Sequence, residues 1–270
     1  MHELRRHQRL FVNRRLRHGA GTTAAAAACL LVAAAAFGAP TATPPVVTDA
    51  LRDAARTIQN VCFGLYPPDL LATMTGSAAA PPDAVRDDPA RQMKYLSAEK
   101  KADKGLFYPS SLDDILPGLM SEVRAGRSFL DLGSGDGRVV FMAAILGAQA
   151  TGIEYEPQMH QIAEAALRKL HAVVPKERVT LLKGDFYKLD WSRYDVLFYF
   201  GLGTFDESGM LAKMRREMRP DAILLLAHMH PPPAGFLPIA RYGVVSTWQR
   251  DPDDLPEDDA APVPHPKKPR

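Results

Sequence analysis

The sequence predicts an α/β protein built on a doubly wound, mostly parallel sheet with helices on both faces. Three observations carry that prediction. From Ser128 onward, short apolar runs alternate with longer segments of helical periodicity. A glycine-rich turn, Phe129 to Gly137 (FLDLGSGDG), ends the first of these runs. An acid, Glu154, closes the second run about 20 residues after Gly133, the place where open α/β sheets present a carboxylate to a ribose.

The elements follow in order. Ser111, with Asp113 and Asp114 behind it, caps a helix expected to run to about Arg124. Ser128 to Leu132 reads as a strand, Arg138 to Leu146 as a helix, Ala150 to Glu154 as a strand and Gln158 to Val173 as a long helix. Strands are expected at Val179 to Lys183 and Asp195 to Phe200, a helix at Asp206 to Arg219 stopped by Pro220, and a buried strand at Ala222 to His228. Ile239 to Trp248, broken at Gly243, forms either a closing hairpin or one bent strand. Strands this apolar along their whole length suit a sheet covered on both faces.

Outside this rhythm the composition changes. With 270 residues, 46% hydrophobic, the chain has apolar material for one full-sized domain plus extensions. The α/β domain is expected at 107–250. Residues 40–106 read as a linker and N-terminal appendage, with Pro44-Pro45, Pro67-Pro68 and Pro81-Pro82 around a short amphipathic helix near Thr48 to Asn60. Residues 251–270 form an acidic, Pro-rich tail expected to be disordered. The first 39 residues join an arginine-rich opening (Arg5, Arg6, Arg9, Arg14, Arg15, Arg17) to the apolar run Ala24 to Phe37. Residues 20–39 approach the length of a bilayer span and are read as a membrane anchor; cleavage as an export signal and import into an organelle stay open. The net charge of +2 hides the contrast between this basic start and the acidic end, and nucleic acid is not an expected partner. Two cysteines, Cys29 and Cys62, support neither a disulfide framework nor a zinc site, and no metal is expected. His228 and His230 read as structural or as the rim of a site; Asp136 and Arg138 read either as cofactor contacts or as an acid at a helix start and a surface arginine.

The turn alone does not choose its ligand. A dinucleotide fold asks for Gly-x-Gly-x-x-Gly, which would put glycine at position 138, where this chain has Arg138. The spacing here is Gly133-x-Gly135-x-Gly137 preceded by Asp131, with a further acid in Gly184-Asp185-Phe186 after the third strand. That set resembles the class I S-adenosylmethionine-dependent methyltransferases, whose Rossmann-like sheet has seven strands. The resemblance implies S-adenosyl-L-methionine as cofactor. It assigns Asp131, Gly133, Ser134, Gly135 and Gly137 to the methionine portion, Glu154 to the ribose hydroxyls, and Asp185 and Phe186 to the adenine.

With the flanking segments Phe107-Tyr108-Pro109-Ser110-Ser111, Gly152-Ile153-Glu154 and Gly184 to Tyr187, the chain is similar to seven-strand protein-lysine methyltransferases. The nearest in kind is the membrane-anchored mitochondrial family that modifies the ATP synthase c-subunit, with its prokaryotic relatives; non-SET histone lysine methyltransferases are similar in the same stretches. The likeness covers Phe107 to His230. It implies a protein lysine as acceptor and Tyr108, Pro109 and Ser110 as a lid over the cofactor; on their own chemistry, the aromatics Tyr199, Phe200 and Phe205 after the fourth strand are candidates for the walls of an acceptor channel, as is Tyr108. Tyr199 to Phe205 stands where those families carry their acceptor motifs, and Asn-Pro-Pro-Tyr is missing. Small-molecule or nucleic-acid methyl transfer therefore stays as an alternative, as does a non-catalytic membrane-tethered binding protein of the same fold.

Overall fold

The computed structural model describes residues 39–67, 109–200, 209–227 and 232–254. The expected alternation becomes five parallel strands closed by an antiparallel hairpin. The helices are α1 (Asp49–Phe63), α2 (Leu112–Glu122), α3 (Arg138–Ile145), α4 (Pro157–Lys169) and α5 (Met210–Glu217). The strands are β1 (Ser128–Leu132), β2 (Gln149–Glu154), β3 (Val179–Lys183), β4 (Val196–Phe200), β5 (Ile223–Ala227), β6 (Phe236–Tyr242) and β7 (Val245–Arg250). Their order across the sheet is β3-β2-β1-β4-β5-β7-β6, with β7 antiparallel to both β5 and β6. The order reverses at β1, between β2 and β4, and that switch point is where a doubly wound sheet opens a crevice for a ligand.

Period-two alternation decides which face each strand residue serves. Phe129, Val196, Phe198, Ile223, Leu225 and Ala227 enter one large core with α1 through α4. Leu197, Leu224 and Leu226 point the other way and are equally buried, so the second face is covered too. The last two strands settle the reading of Ile239 to Trp248: the chain turns back at Gly243, whose φ of +60° suits a residue without Cβ. β6 is not a bare edge, because Arg241 pairs with the chain at Thr41, its N–H donating to the Pro40 carbonyl at 2.8 Å.

Three expected boundaries move. The helix expected to reach Val173 ends at Lys169, followed by turns to Val174. The helix expected from Asp206 is described only from Met210, and residues 201–208, Phe205 among them, lie outside the described residues. At the other end, Asp251 to Asp254 are ordered, and Asp254 accepts a hydrogen bond from Arg215 of α5 at 2.7 Å, so the acidic run begins inside the folded unit.

The larger difference concerns α1. Thr48 caps it, its hydroxyl accepting from the Leu51 N–H at 3.3 Å. Ala55, Ile58 and Cys62, at spacings of three and four, make a buried stripe packed on α2 and α3. Residues 40–270 form one compact unit, so α1 is a layer of the sheet's own core and not an appendage beside it. Residues 1–38, the lid residue Tyr108, and His228 and His230 lie outside the described residues. Among the described residues, no helix is long and apolar enough to cross a membrane.

Candidate active site

The glycine turn grows directly out of β1. Gly133, Gly135 and Gly137 all have positive φ, at 79°, 53° and 80°, so the chain coils tightly between β1 and α3. The Gly133 and Ser134 N–H groups both donate to the Ile153 carbonyl at 3.0 Å, locking the turn to the end of β2. This contact needs Gly152: a Cβ there would lie 2.6 Å from Val140 Cγ2 and 2.7 Å from Ser134. On its other side the turn is open, with no described atom within 4 Å of where a Gly133 Cβ would stand. Beside that opening Asp131 is buried, and its carboxylate has no hydrogen-bond partner among the described residues. Burial, and then the charges of Glu154 and Asp136, raise the Asp131 carboxyl well above the usual carboxylate range.

Glu154 stands at the rim, half-buried. Its Oε2 accepts from the Gly135 N–H and its Oε1 from the Glu156 N–H, each at 2.7 Å. Each oxygen keeps a further lone pair, so the amides aim the carboxylate without exhausting it. Tyr155, the next residue, is 65% exposed and offers a flat ring at the same rim. Sequence reasoning passed over it, although a large aromatic directly after a strand-ending acid was the available signal.

The third acid is held in the same way. Asp185 caps the short 3-10 turn Phe186–Lys188, with Oδ1 accepting from the Tyr187 N–H at 2.9 Å. Its second oxygen has no partner among the described residues and can accept from an exocyclic amine. The Phe186 ring lies against Tyr187 at 4.6 Å between centroids, and the Phe186 carbonyl accepts from Trp191 Nε1 at 3.0 Å. Aromatic rings beside a carboxylate oxygen that is still able to accept suit a heteroaromatic base.

The expected acceptor residues separate. Leu132 and Tyr199 are register partners at the carboxyl ends of β1 and β4, so Tyr199 sits beside the glycine turn. Burial, then Tyr187, push its hydroxyl up to about 12. Phe200 points to the opposite face, where it packs against the main core. Of the proposed lid, Pro109 is half-buried and Ser110 buried, with the Ser110 carbonyl accepting from Arg138 Nη1 at 3.1 Å.

Arg138 is not the surface arginine of the second sequence reading, and Asp136 is buried with it. Arg138 is 2% exposed and Asp136 1%. Arg138 Nε donates to both Asp136 oxygens at 3.0 Å, and Nη2 donates to Oδ2 at 2.6 Å. The same Nη2 donates to the Tyr66 hydroxyl at 2.6 Å, and that hydroxyl donates in turn to Asp136. The Phe63 ring stacks 4.8 Å from the guanidinium. Burial alone would raise the Asp136 carboxyl; Arg138 more than offsets this and holds it below the usual range.

Together these groups fit a ligand with positive charge near Asp131, hydroxyls at Glu154 and a base at Asp185, which are the parts of S-adenosyl-L-methionine. Among the described residues, no group of three or more metal-ligating side chains is assembled.

Residues 131–233 match the family described as the ANTKMT methyltransferase domain. No curated protein matches the chain. Among solved structures, the chain is similar to an RNA methyltransferase from Salinibacter ruber in complex with S-adenosyl-L-homocysteine. The two share 22% identity over 56% of this chain and 98% of that one, with a TM-score of 0.47. It is also similar to a mutant of MtNAS in complex with S-adenosylmethionine, at 14% identity over 73% of this chain and 98% of that one, with a TM-score of 0.45. The matched stretch contains Gly133 to Gly137, Glu154 and Asp185, and over these residues the chain carries an S-adenosylmethionine-dependent methyltransferase domain.

Proposed function

We propose that this methyltransferase modifies a protein lysine and is held at a membrane by residues 20–39. The observation that carries the lysine reading is Tyr199. It stands beside the cofactor turn, its hydroxyl stays neutral up to about pH 12, and its ring makes an uncharged wall of low polarity. A lysine ammonium has an ordinary pKa near ~10.4, so exposing its lone pair at neutral pH costs about 4 kcal/mol. A dry aromatic wall lowers that cost, since desolvation disfavours the charged form. The resemblance to protein-lysine methyltransferases in Phe107-Tyr108-Pro109 and in the glycine turn supports the same acceptor.

The donor, when bound, supplies an electrophilic methyl: a nitrogen–carbon bond forms as the carbon–sulfur bond breaks, sulfur keeps the electron pair, and the amine gives up a proton. No residue has to bond covalently to substrate, so the protein's work is alignment. Glu154 and Asp185 fix the two ends of the nucleoside, and the open side of Gly133 lets the methionine chain lie against backbone. Tyr199 can accept a hydrogen bond from the amine, but a hydroxyl titrating near 12 does not take its proton at neutral pH. The proton leaves to water before transfer.

Incubation of the protein and labelled S-adenosylmethionine with membrane and soluble extracts tests the acceptor. Methyl-lysine recovered from a protein band is expected; label confined to small molecules or nucleic acid refutes the lysine reading. The arginine-rich start and span-length apolar run support the tether. Fractionation of a carboxy-terminally tagged chain should place it with membranes, and a wholly soluble full-length chain refutes that part.

A further inference from the structure

The buried cluster of Tyr66, Asp136 and Arg138 joins three stretches of chain that are far apart in sequence. Tyr66 follows α1, Ser110 precedes α2, and Asp136 lies inside the glycine turn between Gly135 and Gly137. The Arg138 guanidinium is the common donor to all three. Stability alone does not account for the arrangement. A buried ion pair gives back in Coulomb energy about what desolvation costs, and apolar packing of the same volume is often as stable. A cation in the first turn of α3 also opposes the helix dipole. What the cluster does supply is direction. The planar guanidinium grips the carboxylate edge-on through Nε and Nη2 while Nη1 and Nη2 reach Ser110 and Tyr66, a geometry no ammonium reproduces.

We propose that Tyr66 and Arg138 are positioning residues for the cofactor, acting through Asp136. They clamp the glycine turn in its ligand-accepting coil and tie α1 and the Ser110 segment to it. Cofactor affinity is therefore set partly by a tyrosine 70 residues from Asp136 in the chain. Tyr66 is also packed with Met159 and Ile162 of α4, the helix that follows the ribose acid. One clamp thus holds both walls of the crevice, those on β1 and on β2. This inference rests on the S-adenosylmethionine site described above.

The test compares Tyr66→Phe and Arg138→Lys with Ile58→Val, a change within the buried apolar stripe of α1 at a side chain that has no part in the hydrogen-bonded cluster. S-adenosyl-L-homocysteine binding is measured by calorimetry on the full chain, with the thermal midpoint of each apo variant. Tyr66→Phe keeps the ring and removes only the hydroxyl, so the protein remains folded. We expect it to weaken binding at least fivefold, and Arg138→Lys to weaken it further. With an acceptor in hand, the cofactor KM should rise more than kcat falls. Ile58→Val should lower the midpoint comparably while leaving the affinity within twofold. Unchanged affinity in Tyr66→Phe, or an equal loss in Ile58→Val, overturns the inference. No binding by the unmodified chain, by contrast, removes the cofactor site itself, and this inference with it.

Discussion

Glu154→Gln is the most informative single change at the site. The carboxylate now accepts from two backbone N–H groups that approach from different directions, Gly135 at Oε2 and Glu156 at Oε1, both at 2.7 Å. A carboxamide of the same shape has one acceptor oxygen and one NH2 group, so it can satisfy only one of those amides. Hydrogen bonds to a charged group contribute about 1.5–3 kcal/mol. Losing one should lower the thermal midpoint by roughly 3–12 °C, at about 2–4 °C per kcal/mol for a domain of this size. The ribose loses the same kind of charged acceptor, and a further loss of about 1.5–3 kcal/mol corresponds to roughly 10- to 150-fold weaker S-adenosyl-L-homocysteine. Calorimetry and thermal melts on the same preparation separate the two effects. An affinity within twofold of the parent, with the midpoint lowered as expected, would show that Glu154 only braces the turn, and the ribose assignment would fail.

Three other outcomes follow from named contacts. Gly152→Ala sets a methyl 2.6 Å from Val140 Cγ2 and 2.7 Å from Ser134, an overpacking expected to cost about 1–3 kcal/mol in urea denaturation; an unchanged midpoint would mean the turn is not pressed onto β2. Asp131 has a raised folded pKa, so between its unfolded and folded pKa the native state holds a proton that the unfolded chain releases, and stability falls as pH rises through that window. Asp131→Asn should therefore raise the thermal midpoint at pH 7, by less near pH 4, while weakening cofactor binding; a lower midpoint at pH 7 refutes the sign. Tyr199→Phe should keep kcat/KM within about threefold, with an unaltered pH profile between pH 6 and 10 because the hydroxyl titrates near 12. Tyr199→Ala, which removes the wall, should lose more than tenfold, and equal losses in both variants would assign the work to the hydroxyl.

The parallel sheet was legible because burial on both faces writes itself as continuous apolar runs. Asp195 to Phe200 and Ala222 to His228 read as strands, and the structure has them at Val196–Phe200 and Ile223–Ala227. The turn was legible because a coil with three positive φ values requires glycine at each. Arg138 was not legible, because a charged side chain is assigned to the surface unless partners are known, and its partners Ser110 and Tyr66 lie 28 and 72 residues away. Two signals pointed inward nonetheless: an arginine where a helix start favours an acid, and an apolar stripe on α1 that needs a core to bury it. Phe200 shows the opposite limit. An aromatic at a strand end looks the same in sequence whether it lines a channel or fills a core, and only the face it occupies tells them apart.

The electrostatics of the turn explain why its ligand is a sulfonium and not a dinucleotide. Three carboxylates converge within 24 residues, and each sits in a different setting: Asp136 is paired with Arg138, Glu154 accepts from backbone amides, and Asp131 has its carboxyl pushed well above the usual range by burial and then by the charges of Glu154 and Asp136. A pyrophosphate would have to lie at the start of α3, where the Arg138 N–H already donates to the Asp136 carboxylate, placing negative charge where the phosphates would sit. A ligand carrying an ammonium and a sulfonium reverses the sign of every such contact. It also relieves a buried carboxyl that has no hydrogen-bond partner among the described residues, since cation binding beside Asp131 favours its ionised form. The same buried acid that lowers the stability of the empty domain thus becomes a favourable partner for the methyl donor, and a stabilised Asp131→Asn protein with weakened cofactor binding would show both halves of that exchange.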